Sequence, residues 1–141
     1  MLEYNPNNFN FFKKRSVEKK IRDIKQDLKK ISVVFDVFSY ETKIIKNKKK
    51  GDEILKKLNK FIYSNNGAKF IKTSNFLDDK DRVIVKKNGL FTYFLPDIIY
   101  HFDKVNRGFD LLIDIMGADH HGYINRMKSV LMMGGYSQNI L

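Results

Sequence analysis

Two of the three histidines in this 141-residue chain stand side by side in GADHHGY (117–123), with an aspartate before them and a glycine on either side. Asp119, His120 and His121 can do three kinds of chemistry there. Imidazole and carboxylate together suit zinc or manganese. A glycine at a strand end lets a sugar or base approach the backbone, and an acidic residue just after it can accept from ribose hydroxyls, which gives Gly117 and Asp119 a nucleotide reading. The histidines can also be structural, capping the helix that follows and bonding internally. A second dense set of charges, LDDKDR (77–82), has no flanking ligand pattern, so a salt-linked turn is expected there rather than a metal loop.

The elements that must position these residues follow from periodicity. From Ser16, a candidate N-cap, the apolar residues Val17, Ile21, Ile24, Leu28 and Ile31 recur every three or four positions and predict a helix with a basic opposite face. SVVFDVFS (32–39) is β-branched and aromatic enough to predict a strand. KNKKKGD (46–52) reads as a loop. Asp52 then opens a helix carrying Ile54, Leu55, Leu58, Phe61 and Ile62 on one face, ending at SNNG with Gly67 as a left-handed cap.

AKFIKTS and DRVIVKK read as strands, and Asn88-Gly89 predicts a type I′ hairpin into LFTYF. Pro96 suits the first turn of a helix, with Asp97 close to its N-terminus. The apolar run 109–116 predicts a strand buried on both faces, as in a parallel sheet. It delivers Gly117 to His121 at its C-terminal end, where open α/β sheets bind ligands. A last helix, carrying Met127, Val130 and Leu131, ends at Gly134-Gly135. The pattern as a whole is α/β.

Composition narrows the classes. Cysteine is absent, which removes disulfides and thiolate metal sites. No apolar run approaches the ~20 residues of a membrane span, and MLEYNPNNFNFF has no signal-peptide layout. The chain reads as a soluble cytoplasmic protein. A net charge of +11 and a pI near 9.7 favour a polyanionic partner, nucleic acid first. The basic residues are mostly lysine beside many Asn, Ile and Phe, however, which is also the drift of an AT-rich genome.

The Asp-His-His triplet resembles the metal-dependent phosphoesterases named for that motif, but the Asp-x-Asp pairs those enzymes carry on earlier strands are missing. The stronger resemblance lies in DDKDRV, TYFLPDIIYH, KVNRGFD and GADHHGY, which occur in the order and spacing of the catalytic domain of bacterial-type arginyl-tRNA synthetases, with FDVFSYET fitting upstream. It covers about residues 16–141. It implies a partial Rossmann-like class I catalytic domain with a β-hairpin insertion, preceded by an unstructured or poorly packed segment, 1–15. Tyr93 and Asp97 match the residues that hold the arginine side chain. His120 falls where another branch of the family has a substrate-contacting glutamine. Gly117, Asp119 and His121 fall on the ATP and ribose side. The substrates implied are L-arginine, ATP with Mg2+ as its counter-ion and tRNA(Arg), with no tightly bound cofactor, no metal at the tip and no membrane partner.

The two phosphate-gripping signatures of class I synthetases, His-x-Gly-His and Lys-Met-Ser-Lys-Ser, do not occur in the 141 residues. The expectation is therefore a piece of a synthetase, working with complementary pieces or standing as a basic, non-catalytic RNA-binding remnant. No catalytic side chain is expected here, because attack of the arginine carboxylate on the α-phosphate needs charge stabilisation these residues do not supply. The chain alone is predicted to give no arginine-dependent exchange between pyrophosphate and ATP. Exchange clearly above a blank preparation would show that unrecognised residues replace the missing groups.

Overall fold

The computed structural model describes residues 6–141, which divide into one unit ending at Phe38 and another running from Ser39 to Leu141. In the first, helix α1 spans Pro6–Lys30. It begins well before Ser16, which lies in its interior and is no N-cap. Proline is preorganised for a first helical position, and no breaker follows it. The segment before Ser16 is thus helical from Pro6 onward, with the side chains from Phe9 to Arg15 exposed. The predicted apolar stripe is present, but only Ile21 and Leu28 along it are half-buried.

The strand expected at 32–39 does not form. Ser32 turns the chain with φ 60, and Val33 N then donates to the Leu28 carbonyl at 2.9 Å. The Lys25 ammonium lies 4.0 Å from the centre of the Phe38 ring. β-Propensity reflects packing against neighbouring strands, and this segment has none among the described residues of its unit.

The second unit opens with α2 (Glu41–Lys46) and α3 (Lys48–Lys57). The predicted loop 46–52 is mostly helical, because Asn47 rather than Asp52 caps α3, its side chain accepting from Lys50 N at 3.2 Å. A three-stranded antiparallel sheet follows, of β1 (Ile62–Asn65), β2 (Ala68–Ile71) and β3 (Arg82–Val85), in the order β1-β2-β3. Gly67 is therefore no helix cap. Asn66 and Gly67, with φ 48 and 78, are the two left-handed residues of a type I′ turn. The type I′ geometry expected at Asn88-Gly89 is absent, since only Gly89 has positive φ there. That connection closes through Lys86 N to the Leu90 carbonyl (2.8 Å) and a single Val85–Phe91 bridge.

Helix α4 (Phe94–Val105) leads to the extended segment 109–117, then a 3₁₀ turn, Ala118–His120, and α5 (His121–Met133). The parallel, doubly buried strand expected at 109–116 is not formed among the described residues. Leu112 alone is buried, its N–H donating to the Ile140 carbonyl at 2.7 Å, whereas Ile113 and Ile115 are 78% and 93% exposed. An apolar run of this kind pairs only when sheet neighbours lie on both sides, and the sheet present is elsewhere. The fold class remains α/β, built from helices and a small antiparallel sheet.

The core gathers around α4. Phe94, Leu95, Ile98 and Phe102 meet Ile54 and Leu58 from the α3 side, Ile71 and Ile84 from the sheet, and Met127, Val130 and Leu131 from α5. At the end of α5, Gly134 lies against the Phe102 ring so closely that an added Cβ would stand 2.6 Å from its Cζ.

One polar clamp ties α4 to the extended segment. His101, buried, places Nε2 2.6 Å from Asp114 Oδ2 and Nδ1 2.8 Å from the Asp97 carbonyl, and Lys104 donates to the other Asp114 oxygen. Both ring nitrogens thus face oxygen acceptors. Burial would raise the Asp114 carboxyl, but the bonds from His101 and Lys104 outweigh it and hold it at about 2. Asp78 is likewise held at about 2, where its bonds from Arg82 and Asp79 overcome burial.

Both carboxylates titrate below their ordinary value of 3.8, so their stabilisation is complete above it and is lost as pH falls through about 2. Each is worth on the order of 2 kcal/mol. Urea midpoints should therefore fall steeply between about pH 4 and pH 2. Asp114→Asn should flatten that slope and lower stability at pH 7; an unchanged slope would mean the clamp contributes nothing.

Candidate functional site

Asp97 lies in the first turn of α4, where helix amides and dipole favour a carboxylate. It is only partly buried, and Tyr93, just before the helix, is 68% exposed, so both open to solvent on one side. Tyr123, in the first turn of α5, donates its hydroxyl hydrogen bond to Asp97 Oδ2. Burial, then that bond, pushes the Tyr123 phenol far above its ordinary value of 10.

Arg126 follows three residues later on the same face. Its NH1 donates to Tyr93 Oη at 3.2 Å, and its guanidinium carbon lies 5.2 Å from the Tyr123 ring centre and 5.7 Å from that of Phe94. Arg126 Nε is buried without a hydrogen-bond partner, 3.7 Å from Asp78 Oδ2. Asp78 is in turn gripped by Arg82, with Nε to Oδ2 at 2.8 Å and NH2 to Oδ1 at 2.6 Å. Arg82 also reaches Asp79. The loop is salt-linked, as expected, and is joined to α5 where Leu77 N donates to Ser129 Oγ at 3.0 Å.

The tip is more open. Asp119 and His120 have side chains 83% and 60% exposed, with His120 Nε2 3.6 Å from Asp119 Oδ2. His120 occupies the N-cap position of α5 without a side-chain cap bond, so the capping role considered for it is absent. Gly117 has ordinary extended backbone, and its missing side chain makes room. The Asp119 carboxylate folds back until an added Cβ on Gly117 would lie 2.6 Å from Oδ1.

Gly117, His120 and His121 line an open groove of ≈ 450 Å³ with Leu112, Asp114 and Lys128; Asp119 does not line it. Tyr93 and Asp97 lie outside the groove but are connected to it, because the His120 ring packs edge-on against Tyr123 at 6.4 Å. Tyr123 and Arg126 are the residues that reading the sequence missed. Their three-residue spacing at the start of α5 was available as a signal, but nothing local says that the face they share turns toward Asp97.

The family model of the class I (R) tRNA synthetase catalytic domain matches residues 3–140. The arginine–tRNA ligases of Staphylococcus aureus strains JH9 and JH1 are each 47% identical over 134 residues, covering 92% of this chain and 24% of the relative. A crystal structure from Campylobacter jejuni, described as an arginyl-tRNA synthetase, superposes with a TM-score of 0.88 at 34% identity, covering 98% of this chain and 30% of that one. The chain thus spans about a quarter of the length of the curated relatives it matches. On the breadth of that match, the chain belongs to the class I arginyl-tRNA synthetase family, within its catalytic domain.

Proposed function

We propose that this segment supplies the arginine- and ATP-facing wall of an arginine–tRNA ligase, which activates L-arginine with ATP and transfers it to tRNA(Arg) in the cytoplasm. One observation carries the reading: Asp97 is a half-buried carboxylate at a helix N-terminus, oriented by Tyr123 and flanked by the exposed Tyr93 ring. A guanidinium is a planar fork of donors, and a carboxylate accepts two of them in parallel. Tyr93 offers a ring face or hydroxyl beside that pair. Toward the groove, Gly117, Asp119 and His121 are the candidates for the ribose, and His120 stands between the two subsites. ATP brings Mg2+ as the counter-ion of its phosphates. Among the described residues no helix is long and apolar enough to cross a membrane.

The reading makes Asp97 a test of charge and shape together. In a synthetase carrying this segment, Asp97→Asn should cost on the order of 2 to 5 kcal/mol of arginine affinity, the range for breaking a desolvated charge pair. Citrulline, neutral and short of donors, and lysine, charged but without the fork, should both bind much more weakly than arginine. If Asp97→Asn lowers only the melting temperature, by the ~1 kcal/mol of a lost helix-end interaction, the carboxylate is structural and the assignment fails.

A basic RNA-binding role without catalysis draws on α1, whose Lys14, Arg15, Lys19, Arg22, Lys25 and Lys29 are all exposed. Filter binding of tRNA to this chain across a salt series separates the two. A steep salt slope indifferent to arginine supports the RNA-binding role, and a response to arginine supports the synthetase wall.

A further inference from the structure

We propose that Tyr123 is a positioning residue of the arginine subsite, with Arg126 as its companion: the Tyr123 hydroxyl sets the plane of the Asp97 carboxylate, and Arg126 sets the Tyr93 ring. The inference rests on the reading of Asp97 as the guanidinium acceptor, and adds how the acceptor is aimed.

The polarity of the first contact is forced. An ionised carboxylate only accepts, so the phenol must be the donor to Asp97 Oδ2. With its proton held by burial and by Asp97, the phenol remains a donor throughout the physiological range. A carboxylate on a short side chain otherwise rotates about its last bond; one anchored oxygen removes that freedom and leaves the second oxygen, with the free lone pair of the first, in one plane. A bidentate partner needs such a plane.

Tyr123 is itself held on both sides. The Phe94 ring meets it edge-on at 6.1 Å, and the Arg126 guanidinium lies over it at 5.2 Å. From that seat Arg126 donates to Tyr93 Oη at 3.2 Å, giving the exposed Tyr93 ring an anchor. A cation beside a subsite for a cation would repel its ligand, but Asp78 and Asp79 together balance Arg82 and Arg126, with Asp78 Oδ2 3.7 Å from Arg126 Nε. The buried, unpaired Nε is the cost of holding the guanidinium against two rings instead of squarely on Asp78.

Titration of a synthetase carrying this segment with L-arginine and with citrulline, followed by calorimetry and circular dichroism, tests the inference with four proteins. Asp97→Asn should abolish the preference for arginine. Tyr123→Phe keeps the ring and loses the donor; it should weaken arginine roughly tenfold or more, with citrulline nearly unaffected and the spectrum still folded. Restoring a donor by placing 3-fluorotyrosine at 123 should bring arginine binding back, which a packing role would not require.

If Asp97→Asn abolishes the preference while Tyr123→Phe binds arginine like the parent, the positioning role is wrong and the Asp97 reading stands. If Asp97→Asn leaves arginine binding unchanged, or the parent shows no preference for arginine, the Asp97 reading itself falls and takes this inference with it. Should Tyr123→Phe fail to fold, Arg126→Lys decides. It keeps the charge and loses the planar fork, and arginine binding equal to the parent's would overturn the proposal.

Discussion

Helix α4 must hide most of its circumference, and the rest of the unit from Ser39 onward is arranged to let it. Phe94, Leu95, Ile98, Ile99, Phe102 and Val105 are all buried, a wider apolar band than the single stripe of a surface helix. One neighbour cannot cover such a band. Helices α2 and α3, strand β3 and helix α5 each pack on part of it. Gly51 of α3 faces Ile99, and an added Cβ there would stand 3.4 Å from its Cδ1. With Leu, Ile or Phe at these positions, each truncation to alanine would cost on the order of 2 to 5 kcal/mol.

The polar residues occupy what that burial leaves over. Asp97 and Tyr93 stand at the N-terminal end of α4, where packing stops and the backbone amides still favour an anion. His101 and Lys104, one and two turns on, face the extended segment and bind Asp114. One helix thus aims the candidate arginine pair at one end and ties down the segment leading to GADHHGY along its side. The loop 77–82 secures α5 independently, through the bond from Leu77 N to Ser129 Oγ and the Asp78–Arg126 pair.

Local chemistry was legible where a short stretch decides its own conformation. The helix at Pro96, the helix ending at Gly134-Gly135 and the strands 68–71 and 82–85 are such cases. Errors came where two signals of one kind compete. Of two Asn-Gly pairs, the one that takes type I′ geometry is the pair flanked by strands in register, and sequence says little about register. The segments 32–39 and 109–116 have strand-like composition, but a strand is made by its neighbours, and composition does not report whether neighbours are present. Asp97 and Tyr93 became candidates only through resemblance to a family. Tyr123 and Arg126 were hidden because their meaning lies in a contact across 26 and 33 positions of chain.

The contact between Gly134 and Phe102 bears on how this chain can drift. Gly134 has φ −75, open to any residue, so glycine is there for room alone. A Cβ would meet two atoms of the Phe102 ring at 2.6 and 2.7 Å, and that ring is also pinned edge-on by Tyr136 at 5.8 Å. The ring therefore cannot step aside to admit a methyl group. Positions 102 and 134 share a single volume and should vary together among relatives: a larger residue at 134 where a smaller one has replaced the phenylalanine, and glycine wherever the aromatic ring is kept.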